Sequence, residues 1–247
     1  MIISTVLVII LWVAAGALLL TAALSPLETL SWWAGWSEDE VGEEEQTKTG
    51  PDDQSSSTAS PGRVYIVYLS GIATLSGRYL LRREKLFLQG LKTRLPDAAV
   101  ISDVFPYSPA GVPLLESPRV FDRVWRGVQK LKIQRRSAIL SGLINMRNIF
   151  QVMVSADHRY GPIFNQGAAH VIEQALLEAG YERNSGAPVT VIGYSGGGQI
   201  GVGAATFLSA RLAAPVDVIS IGGVIASGPG LAALRRLTMI YGPRDTI

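Results

Sequence analysis

The run Val189-Thr190-Val191-Ile192-Gly193-Tyr194-Ser195-Gly196-Gly197-Gly198 passes from a β-branched apolar stretch into a glycine cluster, and a helix-forming stretch, Gln199 to Leu212, follows it. Strand, sharp turn and helix in that order place Ser195 at the apex of a G-x-S-x-G turn. The backbone there is strained and lifts the hydroxyl clear of the chain. Glycines two before and two after the serine, Gly193 and Gly197, let the strand and helix approach closely. The first amide of the helix, that of Gly196, then points at the oxyanion that forms when Ser195 attacks a carbonyl, and the helix dipole adds to it. The pentapeptide is common in a chain with 26 glycines, so its specificity comes from the flanking strand and helix.

Strand and helix signals alternate on both sides of this turn. Val64 to Leu69 and Ala98 to Val104 read as strands around an amphipathic helix over 78–94. A basic helix is expected at 120–133, a largely apolar one at 138–155 and another at 163–180. Strands at 216–222 and 236–241 follow the helix after Ser195, separated by a short Ala/Leu/Arg segment. The pattern predicts an α/β fold, with a mainly parallel sheet and helices on both faces. Within 138–155, Arg147 makes a lipid-facing span costly, so a core helix or a lid is expected there.

Composition sets the limits. The 247 residues are 48% apolar, enough for one full α/β domain over 62–247 with an appendage before it. No cysteine is present, which removes disulfides, thiolate metal sites and a cysteine nucleophile together. Two histidines, His158 and His170, are too few for a multi-histidine metal centre, and no metal or cofactor is expected.

Residues 1–24 carry no charge and are long enough to cross a bilayer as a helix. Trp32, Trp33 and Trp36 suit the headgroup zone beyond it. An uncleaved single-pass anchor is expected rather than a signal peptide, because no basic residue precedes the apolar run. The side of the membrane is left open by the lack of Lys or Arg on either flank. Residues 25–61 form the linker, and its stretch 37–61, acidic and then Ser/Thr/Pro-rich, reads as a disordered tether. Residues 62–247 hold 21 Lys/Arg against 11 Asp/Glu, a surplus attracted to anionic lipid headgroups. Nucleic acid is not expected as a partner, because no aromatic stacking motif accompanies the basic residues.

Over 62–247 the chain resembles the α/β-hydrolase superfamily. The elbow Gly193-Tyr194-Ser195-Gly196-Gly197 carries most of the resemblance and implies Ser195 as nucleophile. Tyr68-Leu69-Ser70-Gly71-Ile72, at the end of the first strand, looks like the loop that supplies the second oxyanion amide, which implies that Ile72 joins Gly196. Leu237-Thr238-Met239-Ile240-Tyr241-Gly242-Pro243-Arg244-Asp245 is similar to the strand and turn that supply the acid, which implies Asp245. The resemblance implies hydrolysis of an acyl ester or thioester, with a small-molecule acyl substrate.

The base departs from that pattern. The superfamily order is serine, acid, histidine, yet only Thr246 and Ile247 follow Asp245. His158 and His170 both precede Ser195, and His170 lies within a helical run. The chain is therefore expected to stop before the strand, histidine and helix that would complete the fold, leaving activity in this form in question. Two other classes stay open. One is a membrane-tethered interaction protein on a hydrolase scaffold. The other is a dinucleotide-binding domain, because Gly196-Gly197-Gly198-Gln199-Ile200-Gly201 also fits G-x-G-x-x-G; its acidic residue would be Asp217, at the wrong end of the next strand.

Overall fold

The computed structural model of the protein describes residues 63–74, 80–108 and 138–243, together with Trp12 and Gly16. Apart from those two residues, the expected anchor over 1–24 lies outside the described residues, as do the linker over 25–61, the basic helix at 120–133 and Asp245. The described residues form five strands and five helices. These are β1 Tyr65–Leu69, α1 Arg82–Arg94, β2 Ala99–Ile101, α2 Ala138–Ala156, α3 Gly161–Glu178, β3 Val189–Tyr194, α4 Gly196–Leu212, β4 Val216–Ile221, α5 Pro229–Ala233 and β5 Arg236–Ile240.

All strand pairs are parallel and the sheet runs β2-β1-β3-β4-β5. Parallel neighbours need crossovers, and helices provide them. β1, an interior strand between β2 and β3, reads YIVYL and is buried at all five positions, as a strand covered on both faces must be. Tyr65, Val67 and Leu69 pack with Phe164, Ile172, Ile200 and Leu208 of α3 and α4. Ile66 and Tyr68 point the other way, onto Leu88 and Leu91 of α1. The period-2 alternation of side chains thus divides one strand between two cores.

From β1 the chain goes outward to β2 on one side and, later, to β3, β4 and β5 on the other. The strand order reverses between β1 and β3, and such a switch point opens a crevice at the carboxyl ends of the two strands. Ser70 follows β1 and Ser195 follows β3, so both stand at that crevice.

Helix α2, expected as a core helix or a lid, is half in the core, and much of its buried side is polar. Ile144, Arg147, Asn148, Gln151, Val154 and Ser155 are buried, while Met146, Ile149 and Met153 are exposed. The buried polar residues fall at i, i+1, i+4 and i+8 and so share a face, and tertiary hydrogen bonds turn that face inward. Among the described residues, no helix is long and apolar enough to cross a membrane.

Candidate active site

Ser195 adopts φ 52° and ψ −123°, between the last residue of β3 and the first of α4. Among the described residues, two other non-glycine residues have positive φ. One of them, Ala213, is the left-handed cap that ends α4, an ordinary place for such a conformation. Ser195 lies outside that left-handed well. A backbone of this kind costs of order 1–3 kcal/mol and persists where its surroundings over-determine it. Those surroundings are visible: the Ser195 amide donates to the Ile221 carbonyl at 2.9 Å, and its carbonyl accepts from the Gly198 amide at 3.0 Å. Replacing Ser195 with glycine is expected to release the strain and stabilise the protein by about 1 kcal/mol after glycine's own entropy cost. Alanine, equally strained at this φ, should leave stability near wild type. Thermal unfolding of the two variants side by side checks this, and equal midpoints would show that the turn holds no strain.

The glycines around the serine have packing reasons. A Cβ at Gly193 would run into the Gly197–Gly198 backbone, and one at Gly197 would lie 2.5 Å from the Leu69 carbonyl oxygen. The helix therefore begins at Gly196, three residues earlier than the propensity of its residues suggests, because the glycines allow α4 to seat directly on β1 and β3. A Cβ at Gly196 would meet Val152 Cγ2 at 2.6 Å, Ile72 Cγ2 at 2.9 Å and the Tyr107 hydroxyl at 3.3 Å. Ser195, Gly196 and Ile72, singled out in the sequence, are thus brought together at the crevice.

The loop after β1 is held from several sides. Its Ser70 carbonyl accepts from the Tyr107 hydroxyl at 2.8 Å. Glu84, in the first turn of α1, accepts from the Gly71 amide, and Asn148, on the buried face of α2, donates to the Ile72 and Thr74 carbonyls. Arg147 donates to the carbonyl of Tyr107 and to Asn148 Oδ1, linking α2 to the segment after β2. Burial pushes the Tyr107 hydroxyl well above its ordinary pKa, with the charge of Glu84 adding to the effect, so it remains a protonated donor at neutral pH. Burial acts likewise on Tyr68, reinforced by the charge of Glu84 and the hydrogen bond to it. Beside the turn, the Arg83 guanidinium stacks 4.8 Å above the Tyr194 ring.

Neither histidine is bonded to Ser195. His158 is exposed in the turn between α2 and α3, where its Nε2 accepts from Arg159 Nε at 3.4 Å. It lines a cavity of about 190 Å³ bounded also by Asn165, Gln199, Val202, Phe207 and Gly228, a wall that does not include Ser195. His170, on α3, is half-exposed with Nδ1 3.9 Å from Glu173 Oε2. Glu173 is also bound by Arg211 at the far end of α4, about 24 Å of helix from Ser195. Asp217 is the second residue of β4 and forms a two-pronged ion pair with Arg235, at the amino end of the strands, opposite to Ser195. Among the described residues, no group of three His, Asp or Glu side chains is arranged to hold a metal.

Sequence reading missed Glu84, Tyr107, Asn148 and Val152. Two signals were present. Glu84 is the one acid in the otherwise basic Arg82-Arg83-Glu84-Lys85, and Arg147, Asn148, Gln151 and Ser155 recur with helical period inside an apolar run. No family model, curated protein or solved structure matches the chain.

Proposed function

We propose that the domain is a serine hydrolase of α/β-hydrolase type, acting on an acyl ester or thioester and tethered to a membrane through residues 1–24. The observation that supports this most is the backbone of Ser195, a positive-φ residue between a central parallel strand and a helix, with the Gly196 backbone against the loop of Ile72. In the proposed reaction Ser195 Oγ bonds to the carbonyl carbon, and the carbonyl π electrons move to oxygen, where the amides of Gly196 and Ile72 donate to it. Collapse of that intermediate breaks the bond to the alcohol or thiol, which leaves with a proton. Water then cleaves the acyl-serine. Asp245 is the proposed acid, and the tether keeps the site near a bilayer whose anionic headgroups attract the basic domain.

Among the described residues no side chain is hydrogen-bonded to the Ser195 hydroxyl, and a serine without a general base keeps only about 10³–10⁴ of acceleration over water. This favours a second reading, a tethered interaction protein that uses the scaffold without catalysis. A fluorophosphonate probe applied to the full chain separates the two. The hydrolase reading expects covalent labelling that Ser195→Ala abolishes. A wild-type protein that stays unlabelled at a large excess of probe favours the scaffold.

A further inference from the structure

Two deeply buried polar side chains converge on the five residues that follow β1. Glu84 is 3% exposed; its Oε1 accepts from the Gly71 amide at 3.2 Å and the Tyr68 hydroxyl at 3.0 Å, and its Oε2 from the Leu81 amide at 2.8 Å. Asn148 is fully buried on α2, and its Nδ2 donates to the Ile72 carbonyl at 2.7 Å and the Thr74 carbonyl at 3.0 Å. Between these contacts the Thr74 amide donates to the Gly71 carbonyl at 3.1 Å, closing a turn.

The result is a peptide plane held at each end. The Gly71 amide, the Gly71 carbonyl and the Ile72 carbonyl are all committed, while the Ile72 amide between them donates to no described residue. Stability alone does not call for a carboxylate and a carboxamide here. Their desolvation cancels much of what their bonds return, and an apolar pair of similar shape would hold a fold as well. What hydrogen bonds supply and apolar contacts lack is direction, fixing a donor to within about 0.5 Å.

We infer that Glu84 and Asn148 are positioning residues that clamp the loop from two sides and keep the Ile72 amide aimed into the crevice beside Gly196, as a preformed second donor to the oxyanion. This rests on the reading of Ser195 as nucleophile.

The test is the rate of irreversible labelling of the full chain by an alkyl fluorophosphonate. Ser195 Oγ bonds to phosphorus, fluoride leaves with the electrons of the P–F bond, the serine proton passes to a buffer base, and the phosphoryl oxygen occupies the oxyanion position. Saturation kinetics separate reversible binding, KI, from the chemical step, kinact. Asn148→Asp keeps the size of the side chain and loses the donor; it should lower kinact about 10- to 100-fold with KI changed by less than about threefold. Glu84→Ala should do the same, and Glu84→Gln, which retains one acceptor, should recover part of the loss. Variants that label at the wild-type kinact overturn the clamp and leave Ser195 as nucleophile. A wild-type chain that does not label, or a Ser195→Ala variant that labels equally, removes the reading on which the clamp rests. Should the variants fail to fold, NMR of isotope-labelled isoleucine in the wild type decides. The Ile72 amide proton should move downfield on phosphonylation, and an unmoved resonance overturns the proposal.

Discussion

Gly197→Ala is expected to destabilise the protein by about 3 kcal/mol, lowering its unfolding midpoint by roughly 10 °C. The added methyl would sit 2.5 Å from the Leu69 carbonyl oxygen and 2.8 Å from that of Ser70. Both belong to backbone, and β1 is an interior strand, paired to β3 along its length and to β2 over Tyr65–Val67, so the obstacle cannot turn aside as a side chain would. Relief requires α4 to lift from the sheet, and α4 carries Ile200, Ala204, Ala205 and Leu208, all fully buried. Gly142→Ala is the control. It lies exposed in α2 with nothing within 4 Å of the new methyl, and it should stabilise by about 0.8 kcal/mol through helix propensity alone. Chemical denaturation of both variants measures the contrast. A Gly197→Ala protein within about 0.5 kcal/mol of wild type would mean that the elbow is looser than its geometry indicates.

Glu173→Gln should cost about 2 kcal/mol near neutral pH, an amount that fades in acid. The carboxylate is 3% exposed, with Arg183 Nε at 2.7 Å and Arg211 Nη1 at 3.0 Å. Burial alone would push its pKa up, but hydrogen bonds and charge from the two guanidiniums outweigh that and hold the carboxyl below the usual carboxylate range. A depressed folded pKa means that the stabilisation is complete above the unfolded value, about 4.3, and disappears as pH falls through the lower folded value. The wild-type advantage over the glutamine variant should therefore be full at pH 6 and shrink below about pH 4. Both arginines are partly exposed, and solvent screening keeps the figure at the low end for two charge-assisted bonds. Urea titrations of both proteins across that range check the slope. A constant difference would show that packing, not charge, accounts for the loss.

Most of the strands and helices were legible because their signals are local. β-Branched runs announced β1, β3 and β4, helical periodicity announced α1 and α3, and strand–helix alternation implied the parallel sheet. The elbow was legible for the same reason, since its glycines and serine are neighbours in the chain. The polar contacts around it were not. Glu84 reaches Gly71 from 13 residues away, and Asn148 reaches Ile72 from 76. No spacing rule links such positions, and the apolar average over α2 concealed that its polar residues form the buried side.

What the sequence by itself determined is the fold class and the residue at the centre of the candidate site, because backbone propensity and glycine placement act within a few residues. Only the tertiary structure decided which loop lies against Ser195, which face of α2 turns inward, and that His158 and His170 are not bonded to the serine. Those outcomes depend on strand order and crossover. By reversing the order in which strands are added on either side of β1 and β3, the parallel sheet brings Ser70 and Ser195, 125 positions apart in the chain, to one crevice.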